Sequence, residues 1–156
     1  MDIIHLDSSP AIRKGTRSLL QEEYGHNVLS FKDRVSFERA EKEGNFSGLQ
    51  DIVIVSEVLL VDDLGDSDGA WTDSLIKNGS RLTGDEYKLG VTVGLNIRDG
   101  RYESISLKAP LLYFSTQIRG DVLTEAPKLA CAYVGKPAFG EEIQAGILEA
   151  IDASKR

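Results

Sequence analysis

Short apolar runs alternate with longer amphipathic stretches along the chain, the pattern expected of a parallel sheet flanked by helices. Ile3-Ile4-His5-Leu6 reads as a buried strand that stops at Asp7-Ser8-Ser9-Pro10. Ser9 suits a helix cap and Pro10 the first helical position. Ile12, Leu19 and Leu20 give that helix part of an apolar face, and Gly25 ends it. His26 to Phe31 forms a second short strand, with His5 and His26 too far apart to suggest a metal site and His5 expected to be satisfied or half exposed. Phe37 and Ala40 lie on a short charged helix that breaks near Gly44. The β-branched run Asp51-Ile52-Val53-Ile54-Val55 suits a central strand covered on both faces. Pro110 to Phe114, ending at Ser115-Thr116, and Leu129 to Val134, ending at Gly135-Lys136-Pro137, read as the next two strands. Ile143, Ile147 and Ile151, with Leu148 beside them, mark one face of a closing helix.

The region from about 61 to 109 departs from this rhythm and reads as an insertion. Its acidic loop carries Asp62, Asp63, Asp66 and Asp68, but lacks the full spacing and closing glutamate of a calcium loop. A short helix around Thr72 to Lys77 is expected next, and Trp71 is expected to pack the insertion onto the sheet. Val91 to Ile97 and Tyr102 to Leu107 then flank Arg98-Asp99-Gly100-Arg101. An Asp-Gly pair between two β-prone runs signals a hairpin, so an inserted β-hairpin is expected between strands 3 and 4.

With 156 residues, 41% hydrophobic and 28% charged, the chain has the size and balance of one globular domain. A net charge of −7 argues against nucleic acid or an anionic membrane as a direct partner. The single cysteine, Cys131, lies in an apolar run and reads as a buried, inert thiol in a reducing compartment. No secretory signal and no apolar run of about 20 residues is present in the sequence, so a cytoplasmic location is expected.

Four pieces, in order, carry a resemblance to a known family. They are Ile3 to Arg13, with its Asp7-Ser8 pair and Pro-x-Ile-Arg helix start; Asp51 to Ser56; Pro110 to Ser115; and Tyr133-Val134-Gly135-Lys136-Pro137. Together they resemble the receiver domain of two-component response regulators. The resemblance covers roughly residues 2 to 58 and 108 to 152. It implies an α/β, flavodoxin-like fold with a five-stranded parallel sheet in the order 2-1-3-4-5. It further implies an aspartate acceptor, a metal held by an acidic pair, a phosphate-contacting lysine, a hydroxyl sensor and a switch aromatic.

Matched position by position, the centre is degenerate. Asp7 keeps the first acidic position, while Ser8 replaces the second carboxylate and Ser56, with Glu57 beside it, stands at the acceptor position. Ser115 matches the hydroxyl, Tyr133 the switch aromatic and Lys136 the lysine. A neutral serine is a poor nucleophile without a base and a poor ligand for a hard cation. No cofactor is expected, and magnesium would bind weakly, through Asp7. Lys136 is expected to pair with Asp7 and hold the loop ends together, and Tyr133 to be fixed; a Lys136–Pro137 bond in cis is implied by the resemblance alone.

The expected function is therefore that of a pseudo-receiver, a signalling module acting through protein partners without aspartyl phosphorylation. A histidine kinase or a downstream regulator is the partner class the resemblance implies; a homodimer is also compatible, and output is expected to pass through another chain. The expected interaction surfaces are the last helix with its preceding strand, and the hairpin. Two alternatives stand: a live phosphoswitch with Asp62 or Asp63 as displaced acceptor, or with a phosphate on Ser56; and a small enzyme using Asp7, Ser56, Glu57, Ser115 and Lys136 in the cleft at the strand ends, with a Ser-Lys pair as nucleophile.

Overall fold

The computed structural model describes residues 1–58, 60, 89–115, 129, 131–138 and 140–155. Within them the chain runs β1 (Asp2–Leu6), α1 (Pro10–Glu22), β2 (Asn27–Phe31), α2 (Arg34–Lys42), β3 (Ile52–Ser56), α3 (Leu89–Arg98), β4 (Leu111–Ser115), β5 (Ala132–Gly135) and α4 (Gly140–Ser154). The strands form one parallel sheet in the order β2-β1-β3-β4-β5, the flavodoxin-like arrangement.

Alternation along the strands builds two apolar layers. Ile4, Leu6, Ile54, Leu111 and Tyr113 face α2 and α3 in one core. Ile3, Val53, Val55, Leu112 and Phe114 face Ile143, Ile147 and Ala150 of α4 in the other. A sheet covered on both faces needs such near-continuous apolar strands. Local chemistry sets the helix starts: Ser9 Oγ accepts the Ile12 amide at 3.3 Å, and Asp33 accepts the Ser36 amide at 2.7 Å. At the end of α1, Gly25 adopts φ +68 and donates its amide to Gln21.

The hairpin expectation is overturned. Residues 89–98 form helix α3, and Asp99-Gly100 is its C-terminal turn rather than a hairpin loop. Gly100 adopts φ +70 and donates to the Ile97 carbonyl at 3.0 Å, the usual way a helix ends on glycine. Val91, Gly94 and Ile97 are buried at helical spacing because the β3-to-β4 crossover must cover the sheet face. Two glycines let α3 approach closely. A Cβ on Gly90 would meet the Glu57 carbonyl oxygen at 1.9 Å, and one on Gly94 the Tyr113 hydroxyl at 2.3 Å. Residues Tyr102 to Leu107 are not a strand either. Tyr102 donates to Glu38 at 2.8 Å, the Ser104 amide donates to Glu41 at 3.0 Å, and both anchor the connection to α2.

Arg98 locks this crossover in place. Its guanidinium donates to the carbonyls of Leu129 (2.8 Å), Leu107 (3.0 Å) and Ala109 (2.8 Å). Leu148 departs from expectation: it is 54% exposed, while Ile143, Gly146, Ile147 and Ala150 form the buried face of α4. The acidic loop with Asp62 and Asp63, Trp71 and the Thr72–Lys77 segment lie outside the described residues.

Candidate functional site at the strand ends

Parallel strands in this order bring the C-terminal ends of β1, β3, β4 and β5 together, the usual ligand-binding edge of an open α/β sheet. Register decides which residues meet there. Leu6 pairs with Ser56, so the next residues on each chain, Asp7 and Glu57, emerge side by side. The Glu57 amide donates to the Leu6 carbonyl at 2.8 Å. From the other side, Ser115 pairs with Gly135, and the Lys136 amide donates to the Ser115 carbonyl at 2.9 Å.

The resulting cluster is built around Lys136. Its ammonium donates to Glu57 Oε2 at 2.7 Å and forms a close ion pair with Asp7 Oδ2. It also sits 5.0 Å from the centre of the Phe114 ring, within cation–π range. The other oxygen of Glu57 accepts the Ser115 hydroxyl and the Val58 amide, the latter at 2.9 Å. Asp7 Oδ1 accepts the Ser9 amide at 2.9 Å, and the Asp7 carbonyl accepts Arg13 at 2.7 Å. Asp7, Glu57 and Ser115 are all buried. A buried pair of carboxylates is tolerated here because one ammonium offsets part of its charge and several donors solvate it.

Ser56 takes a different place from the one expected. It is fully buried, and its hydroxyl donates to the Glu57 carbonyl at 2.8 Å. Strand alternation puts Ser56 on the Ile54 side of the sheet, so the carboxylate that meets Lys136 belongs to Glu57. Ser8 is exposed beside the cluster. Asp7, Glu57, Ser115 and Lys136 are brought together, and the Lys136–Pro137 bond is cis.

Tyr133 lies on β5 with its hydroxyl oxygen buried and without a partner of good hydrogen-bond geometry among the described residues. Burial raises its phenol above the ordinary value, opposed by the neighbouring Ser115 hydroxyl. His5 corrects another expectation: it is 0% exposed, and both ring nitrogens lack partners among the described residues. Burial lowers its pKa to about 4, with Asp7 opposing the fall and Lys136 and Arg13 adding to it. The Cys131 thiol is pushed up to about 11 by burial, with Arg98 opposing, as suits an inert side chain.

Glu57, expected in the pocket beside Ser56, takes the central part there that Ser56 was expected to hold. The usable signal was register: two parallel strands of equal length, Asp2–Leu6 and Ile52–Ser56, align their following residues as well as their own.

No protein-family model matches the chain, and no curated protein matches it. Solved structures do. The chemotaxis protein CheY4 of Vibrio cholerae is 17% identical, with a TM-score of 0.58 over 96% of this chain and 97% of that one. A response regulator receiver domain from Clostridium thermocellum is 15% identical, with a TM-score of 0.62 over 99% and 96%. The receiver domain of the sensor histidine kinase PA1611 from Pseudomonas aeruginosa, solved with magnesium in its active-site cleft, is 14% identical, with a TM-score of 0.62 over 97% of each chain. The fold is that of response-regulator receiver domains.

Proposed function

We propose that this chain is a receiver-type signalling module that works by protein–protein recognition without aspartyl phosphorylation, and that Glu57, not Ser56, holds the acceptor place. One observation carries the reading: the Glu57 carboxylate is engaged at once by Lys136, the Ser115 hydroxyl and the Val58 amide. Phosphoryl transfer depends on positioned positive charge and a free attacking oxygen. Here the lysine is neutralised between two carboxylates, and the sensing hydroxyl is already bonded to one of them. Glutamate carries one more methylene than aspartate, which lets its carboxylate reach the groups an incoming phosphoryl would need.

The donor set does not fit a divalent cation. Magnesium is usually held by one or two carboxylates plus waters in near-octahedral geometry. Asp7 and Glu57 instead share the Lys136 ammonium, and the adjoining position is the neutral Ser8. A Ser56 phosphate finds no support either, since that hydroxyl is sealed in the core. Both Ser56 and Ser115 donate to Glu57, which gives a Ser-Lys nucleophile pair no footing.

The recognition surface we favour is α4 with β5, where Leu148 stands exposed. A titration with beryllofluoride and magnesium, followed by amide NMR, tests the proposal. The spectrum should show no saturable change at residues 7, 57, 115 or 136. Stoichiometric binding there would sink the reading.

A further inference from the structure

The cleft between α1 and α4 is an unassigned cavity of about 790 Å³ that ends on the Asp7–Lys136–Glu57 cluster. Its size falls within the roughly 300–1,000 Å³ of small-molecule sites. Ile12 and Leu19 form one wall, Ile143 and Pro137 the other, and Phe114 the floor. On the α1 bank Gly15 is exposed along the cleft, and a Cβ built there meets nothing within 4 Å. Glycine inside a helix costs about 1 kcal/mol against alanine, so the gap is not there for the helix's own stability.

We infer that this cleft binds a small amphiphile with an apolar body and a protonated amine head, seated against the carboxylate of Asp7. Charge selects the head group. The charged side chains lining the cleft, among the described residues, are Asp7, Glu57 and Lys136, which together leave one net negative charge. An ionised carboxylate offers about four acceptor positions. Ser9 and Lys136 engage one each on the two oxygens of Asp7, whose side chain is 4% exposed, so an ammonium reaches this carboxylate by taking the place of Lys136. An anionic head would meet two carboxylates against a single ammonium. Glu57 enters only as a charge at the end of the cleft, whatever its part in phosphoryl chemistry. An amine bonded to Asp7 would compete with Lys136 and so loosen the link from β1 to β5, giving the module a small-molecule input.

Phenylbutylamine, phenylbutanol and phenylbutyrate share one body and differ in the head. Calorimetry on the full chain should find the amine binding about tenfold tighter than the carboxylate, a difference of about 1.4 kcal/mol. Amide NMR should place the shifts at residues 11–19 and 140–143. Gly15→Leu, which fills the cleft at a position open to a side chain, should lose amine binding while its melting curve stays cooperative. Gly15→Ala should give a partial loss and guards against a folding defect in the larger variant. Asp7→Asn should erase the preference for amine over alcohol. Equal binding of the three heads, unchanged binding to Gly15→Leu, or shifts confined elsewhere would overturn the inference.

Discussion

His5 makes the stability of this domain depend on pH in a way that can be isolated. The ring is fully buried in β1, neither nitrogen has a partner among the described residues, and its pKa stands at about 4 instead of 6.5. Between those values the unfolded chain binds a proton that the folded chain refuses. Stability contributed by the neutral ring is therefore complete above about pH 6.5 and is lost progressively as the pH falls toward 4. The full gap is worth about 3 kcal/mol, of which about 2 kcal/mol is lost by pH 5. That is a large share of a typical domain stability of about 5–15 kcal/mol.

Urea melts of the wild type and of His5→Leu at several pH values between 7 and 4.5 read this directly. Other carboxylates titrate in both proteins, so the informative quantity is the difference between the two curves. His5→Leu should match or exceed the wild type at pH 7, because two unsatisfied buried nitrogens are removed. Its advantage should grow by about 2 kcal/mol on going from pH 7 to pH 5. Parallel curves over that range would refute the burial argument.

Further predictions concern packing and reactivity. Arg98→Ala should destabilise the domain by about 3 kcal/mol in urea melts, since three carbonyls lose a charged donor, and Arg98→Lys should recover little because one ammonium cannot span them. Gly94→Ala should cost about 2 kcal/mol or more by the same measurement, because its Cβ would press on the Tyr113 hydroxyl. Gly15→Ala, on an open helix face, should instead gain about 1 kcal/mol. Cys131, its thiol held up at about 11, should react with a disulfide reagent far more slowly in the folded protein than in denaturant, followed by absorbance at neutral pH.

Much of this architecture was legible along the chain because local chemistry and tertiary role agree. Ile52 to Val55 is β-branched and, from Val53 on, buried on both faces, so pattern and structure coincide. Ser9, Pro10 and Gly25 mark α1 through capping and backbone geometry that act within a few residues. Helix α3 was not legible, because Val91 and Val93 favour strands and Asp99-Gly100 imitates a hairpin turn. Its helical state follows from packing on Tyr113 and Glu57 through Gly94 and Gly90, contacts between residues far apart in sequence. Glu57 was legible as a pocket residue beside Ser56, but its central part was hidden for a related reason. Its meeting with Lys136 depends on the β1–β3 register and on the β4–β5 pairing, neither of which is written in a local motif. The burial of His5 likewise depends on what α1 and α4 cover, and Leu148 fell off the buried face because the helical period carries it past Ile147.

The central claim, that the site at the strand ends does not take a phosphoryl group, is tested most directly by intact-mass measurement after incubation with acetyl phosphate and magnesium. The wild-type chain should keep its unmodified mass under conditions in which an active receiver control gains one phosphoryl group. A stoichiometric, base-labile adduct would contradict the account, whether peptide mapping placed it at Glu57 or at Asp62 or Asp63.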